Sequence, residues 1–324
     1  MNANSQTSLA DPAQANHVLV TGGSGFIGSW VLQQLIRSGH VPIVVDRAPA
    51  ESRWQRILGA DAEHIIWSDA SLLDPSRLQS VMIEYQVQHV IHLAALLTPA
   101  CQEDPWLGCQ VNVLGSTAIF EAARHAACVR SVSYTSSYAV YGGDDRDLKH
   151  SADSPPMFYG AFKQAVDLIT EQYWRHFQLP SVAVRPHVVY GPERELGLTA
   201  GPSLAARAAA TGAEYTIGYT GQVGYDYVED VARALVRSAL ECPPGAHVVD
   251  LPSEPATTAD FIRTIEDIAP QSRGRLHVDG PAIPTNIPSV PRPIQGLFPD
   301  WQPTPLTEGI RKTVEFYSSE EQSR

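Results

Sequence analysis

A tyrosine and a lysine four residues apart, Tyr159 and Lys163, are well suited to proton transfer. On a helix this spacing places both side chains on one face, about one turn apart. A phenol with a reference pKa of about 10 is a poor base at neutral pH, and a neighbouring ammonium favours the phenolate. A serine of the upstream cluster Thr135-Ser136-Ser137 could donate a hydrogen bond to a substrate oxygen that gains charge. This set predicts acid–base chemistry at a hydroxyl or carbonyl group.

The glycine-rich segment TGGSGFIG, at positions 21–28, could hold a dinucleotide. Its glycines, Gly22, Gly25 and Gly28, follow a predicted strand and open a predicted helix. Glycine allows the tight turn and lets the backbone approach a pyrophosphate, whose charge is stabilised at the helix N-terminus. Together with the tyrosine and lysine, this segment predicts hydride transfer to or from a nicotinamide dinucleotide.

The next predicted strand ends at Asp46. A carboxylate at this position can accept both hydroxyls of the adenosine ribose and would repel a 2′-phosphate. The neighbouring Arg47 could instead pair with such a phosphate. We expect NAD to be preferred over NADP.

Short β-rich runs alternate with amphipathic stretches through the first 190 residues, which predicts an α/β fold with a doubly wound parallel sheet of the Rossmann type. The predicted strands cover positions 17–21, 42–46, 64–67, 89–93, 129–135 and 181–185. The predicted helices cover positions 27–38, 75–85, 105–127 and 159–177. We expect a dinucleotide-binding domain over 17–190, preceded by a flexible tail at 1–16.

After Tyr190 the composition shifts toward Gly, Pro and Ala, which predicts a smaller substrate lobe over 191–324. A helix at 228–240 and a buried strand at 246–251 indicate that the chain returns to the main sheet over 225–251, so the second lobe would be discontinuous. The proline-rich segment 280–305 cannot form a regular helix or a central strand. We expect it to cross the surface before a last helix at 306–317.

Composition excludes several classes of partner. The formal net charge of −12 would repel a polyanion, so we expect no binding to nucleic acid. No stretch approaches the roughly 20 apolar residues of a membrane span, and the N-terminal residues lack the features of a signal peptide. The four cysteines form no C-x-x-C pair, and the histidines show no metal-binding spacing, so we expect a cytoplasmic protein with reduced thiols and no metal site.

Several further motifs resemble those of the extended short-chain dehydrogenase/reductase family, which includes nucleotide-sugar epimerases and dehydratases. The spacing of the three glycines is the first match. The others are His92-Leu93-Ala94-Ala95, Asn112-Val113-Leu114-Gly115-Ser116, Val140-Tyr141-Gly142, Tyr190-Gly191-Pro192 and Tyr227-Val228-Glu229-Asp230-Val231. The resemblance runs from about Val18 to Tyr317, nearly the whole chain.

This resemblance implies roles for individual residues. It selects Ser137 as the catalytic serine, with Tyr159 as the proton-transfer group and Lys163 serving both the phenolate and the nicotinamide ribose. It places Asp69 near the adenine ring, for which a helix or turn cap is the alternative. The complete set of expected cofactor contacts is Gly22, Gly25, Phe26, Ile27, Gly28, Asp46, Arg47, Asp69, Ala70, Leu93, Ala94, Ala95, Asn112, Tyr159, Lys163, Pro186 and Val188.

Departures from the family pattern bear on the substrate. Dehydratases have an Asp-Glu pair after the catalytic Thr, whereas this chain has Tyr138-Ala139, so dehydration lacks its acid and base. Nucleotide-sugar epimerases hold a diphosphate with an Asn and an Arg, and here Val188 and Val223 stand at or beside those positions. A small polar substrate is therefore expected. The candidate substrate contacts are Thr98, Ser136, Tyr138, His187, Arg194, Tyr225 and Arg292, the two arginines serving if the substrate has a carboxylate.

These observations favour an NAD-dependent oxidoreductase acting on a secondary alcohol or ketone of a small sugar, sugar acid or polyol. The alternative is a sugar or nucleotide-sugar epimerase that keeps its NAD bound. A third interpretation, a dinucleotide-sensing regulator, gives no use to Ser137, Tyr159 and Lys163. By resemblance, the helices at 105–127 and 159–177 would pair in a homodimer.

Overall fold

The computed structural model describes residues 15–142, 155–283 and 290–322, so most of the expected flexible tail lies outside the described residues. Within them, seven parallel strands form the main sheet in the order β3-β2-β1-β4-β5-β6-β10. The strands are β1 (His17–Thr21), β2 (Val41–Val45), β3 (Ile66–Ser68), β4 (His89–His92), β5 (Ser131–Thr135), β6 (Ser181–Arg185) and β10 (Ala246–Asp250). This confirms the predicted doubly wound α/β fold. The strand order reverses between β1 and β4, and sheets of this type bind their ligands at the carboxyl ends of the strands at this point.

Helices cover both faces of this sheet. They are α1 (Phe26–Arg37), α2 (Glu51–Leu58), α3 (Pro75–Glu84), α4 (Thr98–Glu103), α5 (Pro105–Cys109), α6 (Gly115–His125), α7 (Phe158–Phe177) and α9 (Val228–Leu240). The main sheet is buried on both sides, because strands such as Val18–Val20 and Val182–Val184 are completely inaccessible to water. Two hydrophobic cores lie on its two faces, one reaching α1 and α9 and the other α3 and α6.

The second lobe is built from short pieces. Its helices are α8 (Gly201–Thr211), α10 (Thr258–Ile268) and α11 (Leu306–Gln322). Its strands are β7 (Val188–Tyr190), β8 (Tyr215–Ile217), β9 (Gln222–Tyr227), β11 (Glu254–Thr257) and β12 (Leu276–Val278), arranged as a three-stranded sheet β11-β9-β7 and a pair β12-β8. Since β10 pairs with β6, the chain leaves the main sheet after β6 and comes back to it before entering this lobe again. We infer the same discontinuous division into lobes from this topology.

One predicted helix differs in form. The stretch predicted at 105–127 is α5 and α6 joined by a π-helical turn, Gln110–Leu114. The extra residue in such a turn shifts the helix face and is frequent at functional sites. Here it points Asn112, which is 1% exposed, toward the loop that follows β4. No helix among the described residues is long and apolar enough to cross a membrane.

Candidate active site

The glycine-rich turn between β1 and α1 leaves the start of α1 open. Gly22 has a φ of +73°, and a Cβ on it would lie 2.7 Å from the Ala94 nitrogen, so a side chain would collide with the loop after β4. Gly28 packs equally closely on the Gly22 carbonyl. Gly25 precedes α1, and no side chain of the described residues caps the helix there. The free amides of the first turn are therefore available to a pyrophosphate, with Phe26 and Ile27 among them.

Asp46 is oriented toward this turn by two backbone amides. Its Oδ2 accepts a hydrogen bond of 3.0 Å from the Ser24 amide, and its Oδ1 accepts one of 2.7 Å from the Arg47 amide. Each carboxylate oxygen keeps a lone pair for a ribose hydroxyl. Arg47 itself is exposed.

Asp69 and Ala70 follow β3 on the same edge of the sheet. The Asp69 side chain is 87% exposed and pairs with Arg77 at 3.6 Å, which leaves it free to reach an adenine ring at the surface. The cap of α3 is Asp74, so the structure gives no support to Asp69 as a helix cap. Ala70 is buried beneath this position.

The loop after β4 is held by two buried networks. Leu93 and Ala94 donate their amides to Thr21 Oγ1, which in turn lies 2.6 Å from His92 Nδ1. Asn112 accepts from the Leu96 amide at 2.7 Å and donates to the Leu96 carbonyl at 3.0 Å. Asn112 therefore braces this loop and could influence a cofactor only through it. The loop presents Leu93, Ala94 and Ala95 beside the glycine-rich turn.

The serine, tyrosine and lysine meet above the carboxyl end of β5. Ser137 begins a short turn there, its hydroxyl accepts from the Ala139 amide at 3.1 Å, and it also hydrogen-bonds to the Tyr159 hydroxyl. Lys163 donates to the Thr135 carbonyl at 2.6 Å, and its Nζ lies 5.8 Å from the centre of the Tyr159 ring. The Ser137 and Tyr159 oxygens thus converge on one point where a substrate oxygen could bind.

Gly160 brings the two halves of this constellation together. A Cβ on Gly160 would overlap the Ala139 carbonyl and lie 2.8 Å from Pro155 Cβ. Only glycine therefore lets the first turn of α7 rest on the turn that carries Ser137. The close approach explains why a glycine follows Tyr159 in the sequence.

Burial dominates the electrostatics of the pair. Desolvation raises the pKa of Tyr159 to about 12, although the Ser137 hydrogen bond and the charge of Arg194 both lower it. Desolvation also lowers the pKa of Lys163 to about 8, and the charge of Asp167 partly raises it. The expectation that Lys163 would lower the tyrosine pKa is therefore wrong for the free chain, because the loss of water around the phenol raises that pKa and the Lys163 charge is not among the groups that shift it.

Asp167 lies one turn beyond Lys163 on α7 and was not anticipated from the sequence. Its carboxylate accepts from Tyr134 at 3.0 Å, from Ser136 at 2.9 Å and from Arg185 at 2.6 Å. Ser136 is thereby turned away from the pocket and is 1% exposed, which corrects its expected role as a substrate contact. The i, i+4 spacing from Lys163 was the available signal, because it places both side chains on one helix face.

The residues that follow β6 lie beside the turn that carries Ser137. Tyr138 donates its amide to the Pro186 carbonyl at 3.1 Å, and its ring centre lies 4.9 Å from that of His187. Burial lowers the pKa of His187 to about 4, so the imidazole is neutral, and its buried Nε2 has no partner among the described residues. Val188 follows with 5% exposure and offers only apolar atoms.

Arg194 lies on the loop that joins β7 to α8. The half-buried side chain donates to Thr199 Oγ1 at 2.7 Å, and its Cζ lies 6.0 Å from the centre of the Phe26 ring. Desolvation lowers its pKa to about 10. Thr98 begins α4 and is also half-buried, and in the described part of the chain it forms no hydrogen bond with Ser137 or Tyr159.

The comparisons with known proteins agree with this geometry. The family model described as "NAD dependent epimerase/dehydratase family" matches residues 18–249. The chain belongs to the NAD-dependent epimerase/dehydratase family. It is an enzyme of this extended short-chain dehydrogenase/reductase group, and its cofactor is NAD, for which the open start of α1 and the oriented Asp46 carboxylate provide fitting contacts.

Individual relatives have two different activities. The chain is 29% identical over 318 residues to a UDP-glucose 4-epimerase of Mycolicibacterium smegmatis, which covers 94% of this chain and 99% of that enzyme. It is 30% identical over 185 residues to a D-erythronate dehydrogenase of Cupriavidus necator, covering 52% of this chain and 56% of that enzyme. The structure of Thermus thermophilus UDP-glucose 4-epimerase in complex with NAD superimposes with a TM-score of 0.74 at 25% identity, covering 93% of this chain and 98% of the other.

Two expected substrate contacts lie elsewhere in this family member. Tyr225 is 3% exposed, and its ring centre lies 4.8 Å from that of Phe261 in the core of the second lobe. The Arg292 side chain is exposed and lines a cleft with Tyr141 and Arg185, and that cleft includes none of the three catalytic candidates. The structure therefore does not bring Tyr225 or Arg292 to Ser137, Tyr159 and Lys163.

Proposed function

We propose that this enzyme oxidises a secondary alcohol of a small polar substrate with NAD, or reduces the matching ketone, through Ser137, Tyr159 and Lys163. The observation that carries the proposal is the convergence of the Ser137 and Tyr159 hydroxyls beside the open start of α1. Bound NAD would supply the two-electron acceptor and a positive charge near Tyr159.

The chain's own residues would handle the proton and the oxygen. Ser137 would hold the substrate oxygen by a hydrogen bond, so that the oxygen stays within reach of the Tyr159 hydroxyl. During oxidation Tyr159 would accept the proton of the substrate hydroxyl, and during reduction it would return one. Lys163, held by the Thr135 carbonyl, would keep a positive charge near the phenolate.

Two buried valines support a small substrate over a nucleotide sugar. Val188 is 5% exposed and Val223 is 1% exposed, so neither position offers a polar atom to a diphosphate. A phosphate pair that loses charge-assisted bonds of about 1.5–3 kcal/mol each would bind poorly.

A second candidate is a UDP-sugar 4-epimerase, favoured by the similarity to the Mycolicibacterium enzyme along nearly the whole chain. Both activities would use the same three residues, but they differ in the fate of the cofactor. A dehydrogenase forms NADH in proportion to product, whereas an epimerase interconverts its sugars with no net change in NAD.

The test is to incubate the protein and NAD with sugars, sugar acids, polyols and UDP-sugars while following both NADH absorbance and product composition. We expect steady NADH formation with a small substrate and none after Tyr159→Phe. Interconversion of UDP-sugars without NADH would refute the dehydrogenase proposal in favour of the epimerase.

We also propose a homodimer in the cytoplasm. Large apolar side chains are exposed along α5, the π-helical turn and α7, with Trp106 at 73%, Leu114 at 53%, Leu168 at 62% and Phe177 at 51%. Such a group of exposed side chains is characteristic of an interface. Leu168→Glu should convert the dimer to a monomer in light scattering, whereas Ile83→Glu on α3 should not. A wild-type monomer would contradict the dimer.

A further inference from the structure

The guanidinium of Arg194 is a cation near the start of α1 that lacks an acidic partner among the described residues. Within the described residues its side chain contacts the Thr199 hydroxyl and the face of the Phe26 ring. The other arginines of this region are neutralised: Arg56 pairs with Glu193 at 2.5 Å, and Arg53 pairs with Glu195 at 3.2 Å. Arg194 therefore differs from these two arginines because it forms no ion pair within the described part of the chain.

The burial and the neighbours of the Arg194 side chain show where this positive charge lies. Desolvation lowers the Arg194 pKa to about 10, yet the side chain keeps some accessible surface, so the guanidinium is poorly hydrated but can still be reached from solvent. The Arg194 charge acts on Tyr159, and its Cζ is 6.0 Å from the ring of Phe26, the first residue of α1. The guanidinium therefore lies between the proposed proton-transfer group and the start of the helix that would hold the cofactor.

The loop that carries Arg194 is anchored firmly. Glu193 has a φ of +71° and is 3% exposed. Its carboxylate pairs with Arg56, and its amide donates to the Tyr317 hydroxyl at 2.7 Å. A non-glycine residue in the left-handed region is strained and persists where its surroundings determine it. The anchored backbone fixes the direction in which the next side chain leaves.

We propose that Arg194 binds a carboxylate of the substrate, so that the substrate class is a small hydroxy acid. This inference rests on the proposed dehydrogenase function and deepens it. In a chain with a net charge of −12, an anionic substrate needs a local cation, and a guanidinium offers a planar carboxylate two parallel hydrogen bonds. A neutral polyol offers the guanidinium only hydroxyl acceptors, whose hydrogen bonds are weaker than those of a carboxylate.

The pyrophosphate of NAD is another anion that could bind the Arg194 guanidinium, because Phe26 belongs to the glycine-rich turn. The two sources are separated by measuring each ligand alone. If Arg194 serves the substrate, Arg194→Met should leave the dissociation constant of NAD within about threefold of wild type. A loss of NAD affinity of about tenfold or more would overturn the assignment to the substrate.

The experiment compares wild type, Arg194→Met and Arg194→Lys against short aldonic acids and their matched alditols, each titrated into the NAD complex by calorimetry and assayed for NADH. In wild type the aldonic acids should bind more tightly than the alditols. Arg194→Met should weaken the binding of aldonic acids by about ten- to a hundredfold, as expected for the loss of a charge-assisted bond, and so remove their preference over alditols. Arg194→Lys should restore part of this affinity. The loss should appear mainly in KM, because the carboxylate does not react.

Thermal stability separates a binding role from a structural one. Because Arg194 forms no ion pair among the described residues, its replacement by Met should leave the Tm unchanged or slightly raised. Arg56→Met is the matched control, because it leaves the buried Glu193 carboxylate poorly paired and should lower the Tm. A drop in Arg194→Met as large as that in Arg56→Met would show a structural ion pair and overturn the inference.

The outcomes distinguish this inference from the function on which it rests. Aldonate binding that needs Arg194 but yields no NADH would leave the inference standing and refute the dehydrogenase. NADH formed from alditols, unaffected by Arg194→Met, would leave the dehydrogenase standing and refute the inference. Aldonic acids that neither bind nor react with wild type would refute the carboxylate site outright.

Discussion

Asp167→Asn is the most informative single change, because it disturbs stability and acid–base chemistry by separate routes. The carboxylate is 8% exposed and accepts hydrogen bonds from Tyr134, Ser136 and Arg185. An asparagine has the same size but no negative charge, and its amide NH2 group would face at least one of these three hydrogen-bond donors. The guanidinium of Arg185, 6% exposed, then stays buried without its counter-charge.

The size of the effect follows from this burial. Breaking a buried ion pair by removing one partner costs about 3–5 kcal/mol. A chain of 324 residues has an unfolding entropy of roughly 0.7 kcal/mol/K, from about 2.1 cal/mol/K per residue, so 1 kcal/mol corresponds to roughly 1.5 °C. We therefore expect the Tm of Asp167→Asn to fall by about 4–8 °C.

The chemical effect has a definite sign. Burial lowers the pKa of Lys163 to about 8, and the Asp167 charge opposes that shift. Removing the charge lowers the lysine pKa further, so Lys163 loses its proton at a lower pH. If protonated Lys163 supports catalysis, the fall in activity at alkaline pH should begin at a lower pH in the variant.

The assays are thermal unfolding and the pH profile of NADH formation. Glu171→Gln, one turn further along α7, is the control. The Glu171 carboxylate pairs with Arg175 at the surface, so its loss should change stability by less than about 1 kcal/mol. A Tm of Asp167→Asn within about 2 °C of the control would refute the buried ion pair as a stabilising element. An unchanged alkaline limb would refute the electrostatic link to Lys163.

Three further predictions concern the pocket. Tyr159→Phe should lower kcat by about 10²–10⁴-fold with little change in the dissociation constant of NAD, and a loss under tenfold would remove Tyr159 from the mechanism. Asp46→Ala should reduce or invert the preference for NAD over NADP in binding titrations, and tighter NADP binding by wild type would show that Arg47 prevails. Burial lowers the pKa of His92 to about 3, below the 6.5 of an unfolded chain, so its contribution to stability is complete above pH 6.5 and is lost as the pH falls toward 3. His92→Asn should therefore flatten the dependence of Tm on pH in this window, and identical profiles would contradict the buried neutral histidine.

Much of the main sheet could be predicted from the sequence, because its strands are buried on both faces and are therefore continuous apolar runs. The strands at His17–Thr21 and Ser181–Arg185 and the helix Val228–Leu240 have the predicted bounds. The strand predicted at 129–135 begins instead at Ser131, since Val129 still belongs to the turn after α6. Position along an apolar run does not reveal where the first ladder hydrogen bond forms.

The second lobe was much harder to predict. Its helix α8, Gly201–Thr211, has alanine at five of its eleven positions and begins with Gly-Pro, so the apolar periodicity that identifies a helix is weak. Its strands β7 and β8 have only three residues each and pair with distant segments. Elements this short are specified by tertiary contacts, which a local pattern does not contain.

The candidate site shows the same division between spacing and environment. Spacing along one helix predicts that Tyr159 and Lys163 lie close together, and the structure places them so. Spacing does not predict how much water remains around them. For this reason the predicted lowering of the Tyr159 pKa was wrong, and burial raises it instead.

This environment has a chemical consequence. With a phenol pKa near 12 and an ammonium pKa near 8, desolvation favours the neutral form of both groups, so below pH 8 the free enzyme holds a charged lysine beside a neutral tyrosine. The pKa near 12 already includes the lowering effect of the Arg194 charge, so the phenolate needs further positive charge to form at neutral pH, and the bound oxidised cofactor could supply it. We therefore expect Tyr159 to become an effective base only in the NAD complex, so that its pKa, followed by ultraviolet absorbance of the tyrosinate in wild type minus Tyr159→Phe, falls when NAD is added. An unchanged difference titration with saturating NAD would refute this coupling between cofactor binding and the base.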